Sequence, residues 1–404
     1  MTTNDGMAIE LNGTKKALFT VSIFLLSICV MGEMGVMPIT FNIYEVFGDG
    51  FVANYIVSAA ALWMAIGAML STKLMETMTK KKILLIGAIV FAVGSIFCAT
   101  IVNGVYISVM RSLMGLGEGI INTVAMAYIA QMYVDEGKRA AFTGYFNAAG
   151  TVFGAILSYA GGALSIPEWT HTFYVYFPMV LVVIATFLFI PELGMEEVVD
   201  WGTETTGGKK EPMGLLYATF ILDYVIFVAM YACISYFISV YIAETGIGDG
   251  AFAGTVLSVS TIAGFFSAAA FGPIYGKLGK NTATVAIAAA AVSLALLWAM
   301  PSKPVALVAC GLIGAVYGAY FSYSYAYVGE IVPMSRVNDA MGYTTAIYSL
   351  AFFATPFVVS ALMGLTQGQV RPLYAGAAVL GCVGVAVELA TNGAYKKLRE
   401  SQQQ

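Results

Sequence analysis

Long, unbroken runs of apolar residues, separated by short polar connections, fill most of the chain. A bilayer core roughly 30 Å thick needs about 20 apolar residues for each crossing helix, so every run predicts one transmembrane helix. The predicted spans are 17–39, 51–72, 83–102, 105–132, 140–163, 171–190, 214–242, 251–275, 282–300, 305–331, 339–364 and 372–394. The runs lack the period-two alternation of a membrane β-barrel. The pattern therefore predicts an all-α integral membrane protein with 12 transmembrane helices.

The longest polar interruption separates six predicted spans from six others. We expect a cytoplasmic tail (1–16), a six-helix bundle (17–190), a cytoplasmic linker (191–213), a second six-helix bundle (214–394) and a cytoplasmic tail (395–404). The halves also echo each other at a spacing near 200 residues, since Gly115 and Gly119 recur as Gly314 and Gly318. Internal repeats are common in transporter folds, so two pseudo-repeats are predicted.

The basic residues are distributed unevenly among the predicted connections. With the amino terminus in the cytoplasm, the cytoplasmic segments carry 16 Lys and Arg, whereas the opposite loops carry only Lys303 and Arg371. Lys and Arg are held on the cytoplasmic side during insertion. The distribution predicts a multi-pass protein of the cytoplasmic (inner) membrane with both termini in the cytoplasm.

Composition narrows the possible chemistry. The chain is 59% hydrophobic and 10% charged, which no water-soluble domain of this size shows. His171 is the one histidine, the five cysteines are scattered through apolar runs, and no G-x-x-x-x-G-K-[ST] phosphate loop occurs. We therefore expect no metal, no cofactor and no enzyme activity. The expected partners are a small-molecule substrate, protons and the lipid bilayer, without nucleic acid, and the chain is expected to be a monomer.

Two loops and one helix start resemble motifs of the major facilitator superfamily. The family's loop after the second span follows a pattern like G-x-L-x-D-R-x-G-R-[KR]. The copies here contain Glu76, Lys80 and Lys81 in the first half, and Gly272, Gly276, Lys277, Gly279 and Lys280 in the second. The resemblance implies the superfamily's fold, secondary transport and a conformational latch in this loop, although Gly276 stands where the family has an acid. The alternative is an ordinary basic loop placed by the insertion rule.

The fourth span begins with Arg111, followed by Gly115, Gly117 and Glu118, and resembles the family's R-x-x-x-G-x-G pattern. That resemblance associates Arg111 with proton coupling. An arginine inside a span costs about 2.5 to 3.5 kcal/mol, so it should face the bundle interior with a partner. Glu118 lies two turns along the same face, a rise of about 10 Å, so another span is expected to supply the counter-charge. The alternative is a structural ion pair.

Glu33 is the candidate counter-charge, in the first span shortly before Pro38. Drug/proton antiporters of the superfamily often carry an acid in this place, and the resemblance implies proton exchange at Glu33. The alternative is an acid at the outer water interface. The fifth span departs from the antiporter pattern because it lacks the expected Gly-Pro. Gly150 and Gly154 there are better explained as close-packing residues.

A polar and aromatic face in several spans predicts a substrate cavity. Asp223 is followed at helical spacing by Phe227 and Tyr231, an arrangement that suits a cation or a proton. The candidate substrate-binding residues are Asn122, Asp223, Phe227, Tyr231, Tyr317, Tyr320, Ser324 and Tyr343. Tyrosine stripes are also common in packing and in interface belts. Glu330 and Glu388 are expected at the solvated interface.

The charges predicted inside the membrane separate two transport hypotheses. The spans contain three acidic candidates, Glu33, Glu118 and Asp223, but only one basic residue, Arg111. Carriers of dicarboxylates need several cationic side chains to bind their substrate. We therefore predict a secondary active transporter that exports a small neutral or cationic amphipathic organic molecule by proton-coupled antiport, through alternating access. The alternative is an importer or exchanger of a small organic monoanion anchored by Arg111. Outside transport, a membrane sensor or scaffold remains as a third hypothesis.

Overall fold

The computed structural model describes residues 7–9, 11–193, 215–332 and 336–402, and its regular elements are helices. The α-helices are α1 (Gly13–Leu26), α2 (Thr40–Phe47), α3 (Phe51–Leu74), α4 (Lys80–Ile96), α5 (Gly104–Met132), α6 (Glu136–Leu164), α7 (Met179–Phe189), α8 (Leu215–Thr245), α9 (Gly250–Ala269), α10 (Phe271–Leu278), α11 (Asn281–Ala299), α12 (Lys303–Ile331), α13 (Val337–Met363) and α14 (Arg371–Gln402). Short 3-10 segments cover Ser27–Gly35, Met37–Ile39, Trp169–Tyr176 and Gly364–Thr366. The predicted linker lies, from residue 194 onward, outside the described residues.

These helices supply twelve spans. By length and composition, 11 stretches within the described residues can cross a membrane. The twelfth span is α4, which has 17 residues: three lysines followed by an apolar run from Ile83 to Ile96. The predicted all-α fold with twelve spans is confirmed. Helix α14 continues to Gln402, beyond the apolar residues that define its span.

Side-chain caps fix where several spans begin. Asn103 accepts hydrogen bonds from the backbone amides of Val105 and Tyr106 at the start of α5. Asp249 accepts one from the amide of Phe252 at the start of α9. A capping oxygen satisfies amides that have no partner inside the helix. The polar residues that interrupt the apolar runs therefore also define the helix boundaries.

The first span is not a continuous α-helix. After α1 the backbone tightens into the 3-10 segment Ser27–Gly35, and Met31 adopts non-helical angles (φ −126°, ψ 35°). Pro38 then lies at the start of the second 3-10 segment, before α2. A proline cannot donate a helical hydrogen bond, and glycines loosen the backbone on its amino-terminal side. The break surrounds Glu33.

The chain divides into two compact units, residues 1–206 and 207–404. In the first, a β-carbon on Gly115 or Gly119 would collide with the backbone of α3 at Ala60 or Met64. In the second, Gly314 and Gly318 make the same kind of contact with α9, at Ser260 and Gly264. The glycines and the backbone positions they contact both recur about 200 residues later. The predicted pseudo-repeat is thus present in the helix packing.

Candidate functional site

Arg111 lies inside the first unit, with 1% of its surface exposed. Its Nε donates a hydrogen bond to the Ile56 carbonyl at 3.0 Å, and one terminal nitrogen donates to the Val57 carbonyl at 3.2 Å. Among the described residues it forms no ion pair with a carboxylate. The counter-charge expected from another span, Glu33, interacts with the guanidinium electrostatically without accepting a hydrogen bond from it. Gly115, one turn further along α5, lets this helix approach α3 closely enough for the guanidinium to reach those carbonyls.

Glu33 and Glu118 lie close to Arg111 without bonding to it. Glu33 interacts electrostatically with the guanidinium, and Glu118 interacts with both Glu33 and Arg111. One oxygen of each carboxyl, Oε2, is buried and has no hydrogen-bond partner among the described residues. Glu118 is 3% exposed and Glu33 is partly buried. The structure thus brings together the three residues predicted for proton coupling, and their role stays a prediction.

Tyr176 completes this group, and the sequence analysis did not identify it. Its hydroxyl donates a 2.5 Å hydrogen bond to the Gly32 carbonyl, beside Glu33. It also interacts electrostatically with Arg111 and Glu118. Gly32 lies in the 3-10 segment Ser27–Gly35, next to the non-helical Met31, so the contact joins Tyr176 to the break in the first span. We call Glu33, Arg111, Glu118 and Tyr176 the acid–arginine cluster.

In the second unit, an aromatic group surrounds the predicted face of α8. Phe227 packs against Tyr320 of α12 with ring centroids 4.2 Å apart. Tyr231 stacks on Tyr317 at 3.8 Å with an interplanar angle of 7°. We call Asp223, Phe227, Tyr231, Tyr317 and Tyr320 the aromatic cluster. Five of the predicted substrate-binding residues therefore share one region.

The other predicted binding residues are placed differently. Ser324 is buried, and its hydroxyl donates to the Tyr320 carbonyl one turn earlier. Tyr343 is 54% exposed, and its electrostatic neighbour is Tyr217. Asn122 lies on α5 in the first unit, one turn beyond Glu118. Binding by any of these residues stays a prediction.

The residues of the predicted latch lie at helix ends. Lys80 donates a 2.9 Å hydrogen bond to Gln131, and Glu76 is exposed. In the second copy, Gly279 has a positive φ of 53° and ends α10, a conformation that favours glycine. Lys280 lies 5.7 Å from the ring centroid of Tyr327. These contacts anchor the ends of both loops to neighbouring helices. The conformational latch stays a prediction.

The latch's remaining residues make no close contact that would test it. Lys81 lies near the ring of Phe187, with its nitrogen 6.0 Å from the centroid. Gly272 and Gly276 have open space where a β-carbon would stand, and Lys277 is exposed. A side chain could therefore be added at either glycine without collision.

Glu388 was expected at the solvated interface, and that expectation was wrong. Its side chain is 6% exposed, and it interacts with Asp223 of α8. The residue lies in the apolar part of α14, six positions before the predicted end of the span at residue 394. That position was the available signal in the sequence. Glu330 is exposed, as expected, and its carboxylate accepts a hydrogen bond from Tyr275 at 3.0 Å.

Twelve spans in two repeats, with buried carboxyls in each half, define a multi-pass α-helical membrane protein. Residues 22–390 match the family model described as Major Facilitator Superfamily. The chain belongs to the major facilitator superfamily.

Individual relatives match shorter segments of the chain than the family model does. The methylenomycin A resistance protein of Bacillus subtilis is 29% identical over 129 residues, which cover 32% of this chain and 27% of that protein. The multidrug resistance protein Stp of Mycobacterium tuberculosis is 26% identical over 155 residues, covering 37% and 28%. An uncharacterised MFS-type transporter of M. tuberculosis is 24% identical over 172 residues, covering 42% and 25%. The chain thus spans about a quarter of the length of the relatives it matches.

Solved structures agree on the fold over nearly the full length. A bacterial homologue of the human lysosomal transporter Spinster, in an inward-facing and unoccupied conformation, matches with a TM-score of 0.74 and 14% identity, covering 96% of this chain and 99% of that one. A D-xylose–proton symporter matches with a TM-score of 0.72 and 13% identity, covering 93% and 97%. At these identities the likeness shows the fold alone.

Proposed function

We propose that this protein is a proton-coupled antiporter that exports a small neutral or cationic amphipathic organic molecule by alternating access. It would work in the cytoplasmic membrane with both termini in the cytoplasm, as the distribution of basic residues predicts. The proposal goes beyond family membership in three respects: the coupling ion, the direction of transport and the class of substrate. It rests chiefly on the hydrogen bonds of Arg111.

The guanidinium of Arg111 donates to two backbone carbonyls, Ile56 and Val57, rather than to a carboxylate. The third nitrogen lies 3.2 Å from Met114 Sδ, so each nitrogen of the guanidinium already has a protein partner and an organic anion would gain fewer new hydrogen bonds there. Glu33 and Glu118, in contrast, each keep one buried oxygen without a partner. The acid–arginine cluster is therefore better suited to receiving a positive charge than a negative one.

Charge balance links that preference to exchange. Two ionised carboxylates beside one guanidinium leave a net charge of about −1, which is unfavourable in a medium of low dielectric constant. One proton on either carboxyl neutralises the cluster. A cationic substrate nearby would do the same, so proton and substrate would favour different occupancies of the site. Transport follows only if the two occupancies also favour different conformations.

The aromatic cluster supports an amphipathic substrate. Its stacked rings offer flat apolar faces, and the hydroxyls of Tyr317 and Tyr348 lie 2.8 Å apart. Aromatic faces attract both apolar groups and cations. Two of the relatives described above are named as resistance proteins, which is consistent with export of such molecules.

The test is substrate-driven proton movement in proteoliposomes that contain an internal pH dye. Panels of lipophilic cations, neutral amphipathic compounds and monocarboxylates are added under an imposed pH gradient. Every response is repeated with Glu33→Gln and with Glu45→Gln, an exposed acid in the same span. We expect cations or neutral compounds to move protons, with loss of the signal in Glu33→Gln and retention in Glu45→Gln.

Arg111→Ala distinguishes the alternative. Proton movement triggered only by carboxylates, abolished in Arg111→Ala and preserved in Glu33→Gln, would contradict the proposal. It would favour an importer or exchanger of organic monoanions. Each variant is first checked for a single monodisperse peak, because Arg111 also holds α5 against α3.

A further inference from the structure

A cavity of about 480 Å³ opens where the carboxyl ends of α8 and α11 meet the start of α14. Its wall includes Glu244 of α8, Trp298 of α11 and Arg371 of α14, and Gln369 on the connection before α14. The volume is within the range of about 300–1,000 Å³ that small-molecule sites show. The cavity lies wholly within the second unit, and no residue of the aromatic cluster lines it.

The opposite charges in this wall are held apart. One oxygen of Glu244, Oε2, accepts hydrogen bonds from the backbone amides of Val370 at 2.7 Å and Arg371 at 3.4 Å. The Arg371 side chain turns to α11, where its Nε donates to the Trp298 carbonyl at 2.8 Å. Within the part of the chain that the structure describes, Glu244 and Arg371 form no ion pair. Each charged group is therefore fixed by backbone groups and not by the other.

These side chains keep hydrogen-bonding groups without a partner. The terminal nitrogens of Arg371 and the Oε1 of Glu244 form no hydrogen bond with a described residue. The side-chain amide of Gln369 forms none with them either. A guanidinium that presents both terminal nitrogens can bind a phosphate or a carboxylate through two parallel hydrogen bonds. A carboxylate oxygen can accept a hydrogen bond from a primary ammonium.

The residues at the rim are those of a membrane interface. Trp298 is 48% exposed, and tryptophan is enriched where a membrane meets water. Its ring face also attracts an ammonium. Met300 is 56% exposed, and Leu365, on the connection that supplies Gln369, is 82% exposed. Exposed apolar side chains beside charged groups suit a ligand with a polar head and apolar chains.

We propose that this cavity binds a zwitterion that carries a phosphate and a primary ammonium, the headgroup chemistry of an ethanolamine phospholipid. The phosphate contacts the terminal nitrogens of Arg371, and the ammonium contacts Oε1 of Glu244 and the Trp298 ring. Because the wall contributes one charge of each sign, the zwitterion supplies a counter-charge for both. A ligand of a single charge would leave one wall charge unmatched.

The inference goes beyond the proposed function, since it involves neither the transported substrate nor the proton. A bound headgroup would join the ends of α8, α11 and α14 through the two wall charges. The lipid composition of the membrane would then affect the stability of the second unit. The test below needs no transport and no pH gradient, so its result is independent of the proposed antiport.

The experiment is native mass spectrometry of the purified, delipidated full-length protein, which counts bound molecules and gives a dissociation constant for each. Phospholipids with identical acyl chains and ethanolamine, choline or glycerol headgroups are titrated separately. Glycerophosphoethanolamine is the fourth ligand, because it has the same headgroup chemistry without acyl chains. It distinguishes a lipid from a water-soluble zwitterion.

We expect one ethanolamine phospholipid to bind at least about tenfold more tightly than the choline and glycerol phospholipids. The choline ammonium is methylated and cannot donate a hydrogen bond to Glu244, and the glycerol headgroup has no ammonium. Equally tight binding of glycerophosphoethanolamine would support the site with the headgroup as its whole ligand. Binding of the phospholipid alone would support the site with a lipid as its ligand. Equal affinity for the three phospholipids would overturn the inference.

Substitutions in the wall test where the zwitterion binds. Arg371→Gln and Glu244→Gln should each weaken binding of the ethanolamine phospholipid at least about tenfold. Lys303→Gln is the matched control, because Lys303 lies on the same predicted side of the membrane, near the ring of Phe252 and outside the cavity wall. It should leave the affinity unchanged. Wild-type affinity in both wall variants would place the lipid elsewhere and overturn the inference.

Gln369→Glu keeps the test decisive if a wall variant does not fold. The Gln369 side chain is exposed and has no partner among the described residues, so the substitution removes no contact. A carboxylate in the same wall as Arg371 repels the phosphate and should weaken binding severalfold. Monodispersity in detergent identifies the folded variants. Undiminished binding in folded Gln369→Glu would contradict a phosphate in this cavity.

Discussion

Buried polar side chains in this protein fall into two groups, according to whether their hydrogen bonds are complete. Arg111 and Tyr176 bond to backbone carbonyls of neighbouring segments. Glu33, Glu118 and Asp223 each retain at least one buried oxygen without a partner among the described residues. A satisfied group holds the fold, whereas an unsatisfied oxygen can gain a proton or a cation. The side chains that hold the backbone thus differ from the carboxyls that we propose take up a proton.

Arg111→Lys should lower stability while keeping the charge. An ammonium on a flexible stem cannot span the Ile56 and Val57 carbonyls as the planar guanidinium does. The loss of one charged hydrogen bond corresponds to about 1.5–3 kcal/mol. Thermal unfolding in detergent, followed with a thiol-reactive dye at buried cysteines such as Cys29 and Cys98, measures it. An unchanged unfolding midpoint would show that the two carbonyl contacts contribute nothing to stability.

Tyr176→Phe should also destabilise the protein, by about 1–3 kcal/mol, because the Gly32 carbonyl would lose its buried donor. Tyr174→Phe is the matched control on the same 3-10 segment, since Tyr174 is 48% exposed. The same dye assay compares the two. Equal midpoints for both variants would mean that the hydroxyl of Tyr176 does not support the break in the first span.

At the scale of the elements, two helix crossings are built in the same way. Helix α5 meets α3 through Gly115 and Gly119, and α12 meets α9 through Gly314 and Gly318. Because glycine has no side chain, the two backbones can touch. Close packing of this kind stabilises helix pairs in lipid, where the hydrophobic effect does not drive helices together. In the first unit this close approach has a second consequence, because it brings the carbonyls of α3 within reach of Arg111.

Gly318→Ala and Gly329→Ala should have opposite effects on stability, although both lie in α12. A β-carbon at Gly318 would collide with the Gly264 carbonyl, and overpacking of this kind costs about 1–3 kcal/mol. Gly329 has open space, so alanine there should be neutral or stabilise the helix by up to about 1 kcal/mol. Unfolding midpoints in detergent test the difference. A stabilising Gly318→Ala would contradict the proposed close crossing.

For the whole molecule, the arrangement of basic residues predicts which side of the membrane each loop faces. The last turn of α3 and the first turn of α4 carry four lysines, whereas the connection between α4 and α5 carries no basic residue. An even number of spans then returns the chain to the side on which it began. The proposed cytoplasmic location of both termini depends on this alternation.

Labelling of single introduced cysteines measures which side of the membrane each loop faces. In a Cys382→Ala background, which removes the exposed native thiol, Thr77→Cys should react with a membrane-impermeant maleimide only from the cytoplasmic side. Val102→Cys, on the next connection, should react only from the outside. Both substituted positions are exposed. Reversed labelling would place the termini outside and contradict the predicted topology.

The sequence predicted the spans better than the contacts. Their number and type followed from apolar length, and the repeated glycines pointed to equivalent helix crossings. The carbonyl partners of Arg111 were not predicted, because every residue has a backbone carbonyl and the sequence does not show which one accepts a hydrogen bond. Tyr176 was overlooked for a similar reason, since its partner is the carbonyl of a glycine. Glu388 was misplaced because its partner Asp223 lies 165 positions earlier in the chain.

By itself, the sequence determined that this protein is a twelve-span helical membrane protein with an internal repeat. It could do so because lipid requires every span to satisfy its own backbone hydrogen bonds within about 20 apolar residues. Only the tertiary structure decided which buried charges meet. Those pairings depend on where glycines let helices touch and where a helix breaks, so Arg111 bonds to carbonyls while Asp223 meets Glu388.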